Sequence, residues 1–394
     1  MRVVEIARHM LSHRGREAGD TMIRGIRPLI LGLIGGTASA AATGASYPMT
    51  ADHWDVQGTA GFEVRDGRDT LRLGNFKGTP VGGGQANLKG VQFATGVIEF
   101  DMLITGERDF VGPVFRQVQD GFGEVIYLRP HLNGKPDAIQ YTPVVNNNLA
   151  WQIFTGPGFE AETTFPLSKW MHVRTDVFET SAAVSIDGKE VLHVPYLKGK
   201  SGSGEVGVVA LAGGDFIANF SVEPIVNYRD PEAAPPIAPL PAGSVTSWKV
   251  TPAITQDEAF ARAAKSNWAG VNWQTVAVET NGIANLSKAG PDADDRHSFI
   301  ARFTVNSRSA HRELLQFGFS DAVRVYVNGI PLYEGADLQF SRDYRFLGHV
   351  GFWDAVFLPL KAGSNDIAFV VTDDTNGGTA AAAKLDPHSL VTIN

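Results

Sequence analysis

Glu99 and Asp101 stand two residues apart in the run Gly96-Val97-Ile98-Glu99-Phe100-Asp101-Met102. Alternate residues of an extended strand share a face, so both carboxylates project to one side and Ile98 and Phe100 to the other. Paired carboxylates are the acid and nucleophile of glycoside cleavage. The competing reading, and the favoured one, is a polar face ion-paired to Arg116 or Arg129. A second set of chemically capable residues lies between Val111 and Trp151: Arg116, Tyr127, Arg129, His131, Gln140, Tyr141, Asn148 and Trp151. Aromatic rings stack on the C–H faces of sugars, and Arg, Asn and Gln supply forked donors and acceptors for hydroxyls. The set therefore suits a carbohydrate site. Its plainer alternative has Tyr141 and Trp151 in the core and Arg129 as a surface strand charge. His131 is a third catalytic candidate, as a general base, although a lone histidine is more often a hydrogen-bonded polar residue. Asp292, Asp294 and Asp295 offer oxygen ligands for a structural calcium. They lack the glycine and distal glutamate of an EF-hand, so a solvated loop is favoured.

Short strands position these residues. Tyr127, Arg129 and His131 fall on one face and Leu128 on the other, with Arg116 and Gln140 placed to join the polar side. Turns at Asp120-Gly121 and Asn133-Gly134 separate the runs. Asp66-Gly67, Asp187-Gly188 and Asn328-Gly329 each read as a two-residue hairpin turn. Asp257 to Ala264 is the one helix-like segment of the C-terminal half. With 43 Gly and 21 Pro in 394 residues, the pattern is all-β, and the length suits more than one core.

The organisation expected is a leader over 1–42, a β-domain over 47–225, a Pro-rich linker over 226–243 and a second β-domain over 244–394. The leader pairs a basic start from Met22 with a short apolar run and Ala38-Ser39-Ala40, the layout of a secretory signal peptide whose true start is Met22. That implies a secreted or periplasmic protein with no membrane span after cleavage. The chain has no cysteine, which excludes disulfides, thiolate metal sites and a cysteine nucleophile. Its formal charge of −8, without a basic aromatic-rich stripe, argues against nucleic acid. Gly82-Gly83-Gly84 is not followed by Lys-Ser/Thr, so no phosphate cradle is indicated. Apart from structural calcium, no cofactor is implied, and the oligomeric state is open.

Three runs carry a family resemblance: Gly96 to Asp101, Trp170-Met171-His172-Val173-Arg174, and Val184-Ser185-Ile186-Asp187-Gly188-Lys189-Glu190-Val191. Together they resemble the concanavalin A-like lectin/glucanase sandwich in its laminin-G-like form. Val325-Tyr326-Val327-Asn328-Gly329, followed by Lys361-Ala362-Gly363-Ser364-Asn365, resembles the galactose-binding jelly roll appended to glycosidases. The resemblance implies two β-sandwich (jelly-roll) domains and a secreted carbohydrate-binding protein that meets a glycan on the polar concave face of the first. Glucanases of the first family add a third acid after a pair such as Glu99 and Asp101. Here Met102-Leu103-Ile104 supplies none, which favours recognition over catalysis. A glycan hydrolase or lyase using the same face, and a non-catalytic adhesion pair, are the alternatives.

Overall fold

A computed structural model of the chain describes residues 44–74, 83–105, 108–212, 214–292, 296–338, 349–373, 377–386 and 390–394. Four antiparallel sheets form two sandwiches. The first sheet runs Lys189–Val194, Ala182–Ile186, Trp170–Val177, Gly96–Leu103, Phe216–Pro224, Arg68–Leu73 and Ala60–Arg65, with Ala45–Ser46 beside Phe216–Pro224. The second runs Asn148–Leu149, Ile139–Val145, Phe122–Leu128, Val111–Val118, Glu205–Ala210, Gly84–Leu88 and Trp54–Gly58, with Glu160–Ala161 beside Ile139–Val145. Consecutive hairpins alternate in these sheets with neighbours from distant parts of the chain, as in a jelly roll.

Strict alternation builds the core between the first two sheets. Ile98, Phe100 and Met102 point inward, and so do Ile126 and Leu128 of the facing sheet. Phe220 lies at the centre, edge-on to Trp54 at 5.0 Å and stacked on Phe100 at 5.7 Å. Asp187-Gly188 and Asn328-Gly329 have positive φ at both positions (49° and 79°, 51° and 81°), the geometry of the hairpin turn their sequence demands.

From Ile225 to Thr246 the chain carries no strand. Beyond it, a third sheet runs Gln274–Ala277, Ser247–Val250, Ser298–Ser307, Gly363–Thr372, Ala322–Val327 and Ile330–Ala336, with Val391–Ile393 beside Ser298–Ser307. A fourth runs Ala284–Asn285, Ala380–Leu385, His311–Ser320 and Asp354–Leu360. Trp248, Phe303, Phe317 and Phe369 fill the space between them. The helix Gln256–Ala264 is capped by Thr255 Oγ1, which accepts from Glu258 N at 3.3 Å. Its Ala259 and Ala263 pack on Ile300, Tyr326 and Val370 on the outer side of the third sheet. Trp268 and Trp273 border the same cluster, whereas Trp353 is largely exposed. Asn365 closes its turn by accepting from Lys361 N and donating to Lys361 O, both at 2.9 Å. The Lys361-Gly363-Asn365 spacing thus serves structure. Among the described residues no helix is long and apolar enough to cross a membrane.

Phe220→Ala should cost about 3–5 kcal/mol in urea unfolding, because it empties the centre of the first core. Phe357→Ala, at a 58%-exposed position, should stay within about 0.5 kcal/mol. Equal effects would show that Phe220 is not central.

Candidate functional site

Alternation sends Tyr127 and Gln140 to the outer side of the second sheet, opposite the core. Arg129 follows Tyr127 at the strand end and folds back over it. The guanidinium is buried. Its Nη1 donates to Asp137 O at 2.9 Å and Asp137 Oδ2 at 3.1 Å, and its Nη2 to Gln140 Oε1 and, at 3.3 Å, to Tyr127 Oη. Tyr127 Oη donates to Gln140 Oε1 at 2.7 Å. Gln140 Nε2 in turn donates to the carbonyls of Trp151 and Phe154 at 3.0 and 2.9 Å. Each partner is needed, since a buried cation or amide without one is costly. Burial pushes the Tyr127 hydroxyl up to about 12, so it stays a donor.

Around this network stand groups the sequence did not single out. Phe110 meets Tyr127 and His131 edge-on, at 5.6 and 5.2 Å, and lies 5.4 and 5.8 Å from the guanidinium carbons of Arg108 and Arg129. Glu160, on its two-residue strand, accepts from Gly156 N at 2.8 Å. Its Oε1 lies 3.9 Å from Arg129 Nη1 and 3.6 Å from His349 Nε2, a residue of the second sandwich. The His349 ring also meets Trp151 at 6.3 Å. Burial raises the Glu160 carboxyl to about 7. Burial, then Arg108 and Arg129, lowers His131 to about 3; burial and Arg129 lower His349 to about 4. At neutral pH both imidazoles are uncharged. Among the described residues, His131 Nδ1, Glu160 Oε1, His349 Nε2 and Trp151 Nε1 are buried without a hydrogen-bond partner. The Glu160 and His349 side chains are 8% and 15% exposed.

The expected set therefore divides. Tyr127, Arg129, His131, Gln140 and Trp151 come together, although in a buried network and not on an open strand face. Arg116 and Tyr141 do not join them. Arg116 sits at a bulge with φ +52° and donates to Ala94 O at 2.8 Å and Phe178 O at 2.6 Å. Tyr141 points into the inter-sheet core, as alternation with Gln140 requires, and donates to the buried Glu124 at 2.6 Å. Glu99 and Asp101 lie on the other sheet. Arg174 donates to Glu99 at 2.9 Å, and His172, Arg68 and Asn219 surround Asp101. Their ion-paired reading is right in kind, but the partners are not Arg116 or Arg129. Of the calcium candidates, Asp294 and Asp295 lie outside the described residues. Asp292 is 3.8 Å from His297. Among the described residues, the group close enough to share an ion is instead Glu190, His193 and Glu232, at the edge of the first sheet.

The segment Asn146 to Phe154 meets the second sandwich. Asn148 Nδ2 donates to Asp373 Oδ2 at 2.8 Å, and Asn146 Nδ2 to Ser287 O at 2.6 Å. Gln152 Nε2 donates to Asp321 Oδ1 at 3.0 Å, Gln152 N to Gly377 O at 2.9 Å, and Val350 N to Gln152 O at 3.0 Å. Ala150, Ile153 and Phe154 pack against Ile283, Val350, Ala380 and Ala382. Asn148 thus belongs to a seam between sandwiches, and the seam supplies His349 to the site. No residue pattern pairs Glu160 with His349. Only their apposition across the seam marks them.

No family model matches the chain, and no curated protein does. Solved structures similar to it include the carbohydrate binding module CBM66 from Bacillus subtilis, at 15% identity over 43% of this chain and 95% of that one, TM-score 0.33. A prokaryotic β-1,3-1,4-glucanase (lichenase) from a mouse hindgut metagenome matches at 14% identity over 47% and 100%, TM-score 0.34. The VIP36 exoplasmic/lumenal domain, in its Ca2+/Man3GlcNAc-bound form, matches at 13% over 47% and 91%, TM-score 0.33. At such identities and scores they carry nothing about activity, and the fold is read from the four sheets themselves.

Two outcomes test this geometry. Gly378 has φ +107°, and a Cβ there would lie 2.9 Å from Ala150 Cα. Gly378→Val should open the seam and split one calorimetric transition into two; an unchanged single transition would refute the coupling. Glu124 is raised to about 7 by burial. A carboxyl raised on folding adds stability that is complete below its unfolded pKa and lost as pH rises through the folded one. Between about pH 5 and about pH 8, wild type should lose stability relative to Glu124→Gln in urea unfolding. Parallel curves would contradict the assigned burial.

Proposed function

We propose that the chain binds a carbohydrate beside the Arg129 network, where the seam brings His349 next to Glu160. One observation carries the reading: His131 Nδ1, Glu160 Oε1 and His349 Nε2 are polar atoms withdrawn from water with no hydrogen-bond partner among the described residues. Such groups are costly unless a bound molecule or ordered water completes them. Their surroundings fit a sugar: the Phe110, Tyr127 and Trp151 rings, and a mixture of neutral donors and acceptors. Two neutral imidazoles can each donate and accept, which matches hydroxyl groups better than a cluster of fixed charges does. The basic, apolar and small-residue order of the N-terminal segment, which lies outside the described residues, supports a location beyond the cytoplasmic membrane. Polysaccharides are encountered there.

A glycan array probed with the full-length chain, followed by calorimetry on the best binder, tests this. His131→Ala should weaken binding about tenfold, the loss of one or two hydrogen bonds. Asp101→Asn, on the other sheet, should leave it unchanged. Loss with Asp101→Asn and none with His131→Ala would place the site elsewhere, and no binder at all would sink the reading.

A further inference from the structure

Glu160 is an unusual carboxyl for a structural residue. Its side chain is 8% exposed, yet the guanidinium beside it is committed elsewhere. Arg129 directs its donors to Asp137, Gln140 and Tyr127, and stays 3.9 Å from Glu160 Oε1. One oxygen of Glu160 is held by Gly156 N at 2.8 Å, which fixes the group. The other faces His349 Nε2 at 3.6 Å, and among the described residues both atoms lack a hydrogen-bond partner. A carboxyl fixed through one oxygen, with its other oxygen left without a hydrogen-bond partner among the described residues, has the geometry of a proton donor.

We propose that the Glu160 carboxyl protonates the departing oxygen in hydrolysis of a glycosidic bond, a reading that rests on carbohydrate binding at this seam. The proton of Glu160 passes to the glycosidic oxygen while the bond from that oxygen to the anomeric carbon breaks, its electron pair staying on oxygen. The oxygen of one water molecule bonds to the anomeric carbon, and a proton from that water restores the Glu160 carboxyl. The net change is addition of one water across one C–O bond.

The electrostatics agree with this role. Burial holds the carboxyl up to about 7, against opposition from Gly156 N and Arg129 and with a small push from Asp137. The charged and titratable groups facing it are Arg129, Asp137 and Tyr127 from the first sandwich and His349 from the second. Tyr127 and His349 are neutral near pH 7. Asp137 is paired with Arg129 at 3.1 Å, so the two acids stand in different environments, the condition under which one keeps its proton.

The test uses the full-length chain and a panel of soluble polysaccharides (barley β-glucan, xylan, arabinogalactan, levan and pectin), with binding by calorimetry and cleavage by new reducing ends. Wild type should release reducing ends from a polysaccharide it binds, with a rate that falls as pH rises through about 7. Glu160→Gln keeps the shape and the bond from Gly156 N; it should lower release by about a hundredfold or more with Kd within about threefold. Binding by wild type without release overturns this proposal and leaves the binding reading standing. Release by Glu160→Gln at the wild-type rate overturns it as well. Failure to bind any polysaccharide overturns both readings together. Should Glu160→Gln not fold, the wild-type pH profile decides: a rate that does not fall through about pH 7 removes Glu160 as the donor.

Discussion

A buried guanidinium needs hydrogen-bond partners, and Arg129 is where this protein meets that demand. Its charge is balanced by Asp137, and its Nη2 reaches Gln140 and Tyr127. Gln140 then has its amide free to hold two carbonyls of the segment that follows, Trp151 and Phe154. Satisfying one cation therefore fixes the backbone of Ala150 to Phe154 on the outer side of the second sheet. That segment is what the second sandwich packs against. Removing Arg129 would take from Asp137 its paired cation and from Gln140 and Tyr127 one donor each, so the network is coupled.

The same commitment explains Glu160. A carboxyl beside an arginine ordinarily forms an ion pair. Here the nearest arginine nitrogen stays 3.9 Å away while donating to Asp137, and the second sandwich places a neutral histidine 3.6 Å from the same oxygen. Desolvation then dominates and raises the carboxyl to about 7, so that part of it carries a proton near neutrality. Asp109 and Asp215 show a parallel effect nearby, where burial and the neighbouring carboxyl raise Asp215 to about 8. Glu99 and Asp101 are the contrast. They sit on an outer strand face where Arg174, Arg68 and His172 surround them, and solvent screening makes such pairs worth little.

Much of the architecture follows from local rules legible in the chain. Period-two alternation in Gly96–Leu103 and Phe122–Leu128 assigns core and outer faces, because a strand offers no other choice. Asp187-Gly188 and Asn328-Gly329 specify hairpins because those residues tolerate positive φ at both turn positions. The same alternation places Tyr127 and Gln140 together and separates Tyr141 from them. Arg116 escapes the rule because a bulge turns it from the face its position implies.

The amino-acid sequence by itself determined two antiparallel sandwiches, their hairpins, and the association of Tyr127, Arg129 and Gln140 on one outer face, since each rests on residues close in sequence or on strand alternation. The tertiary structure alone decided that this face is a seam and not an open surface. It alone brought Glu160 against His349, 189 positions further along the chain, and gave Glu99 and Asp101 partners on their own sheet. These outcomes depend on how sheets pair and sandwiches dock. Contacts between distant segments leave no periodic mark in the chain, and desolvation, which sets the Glu160 proton, exists only once those contacts have formed.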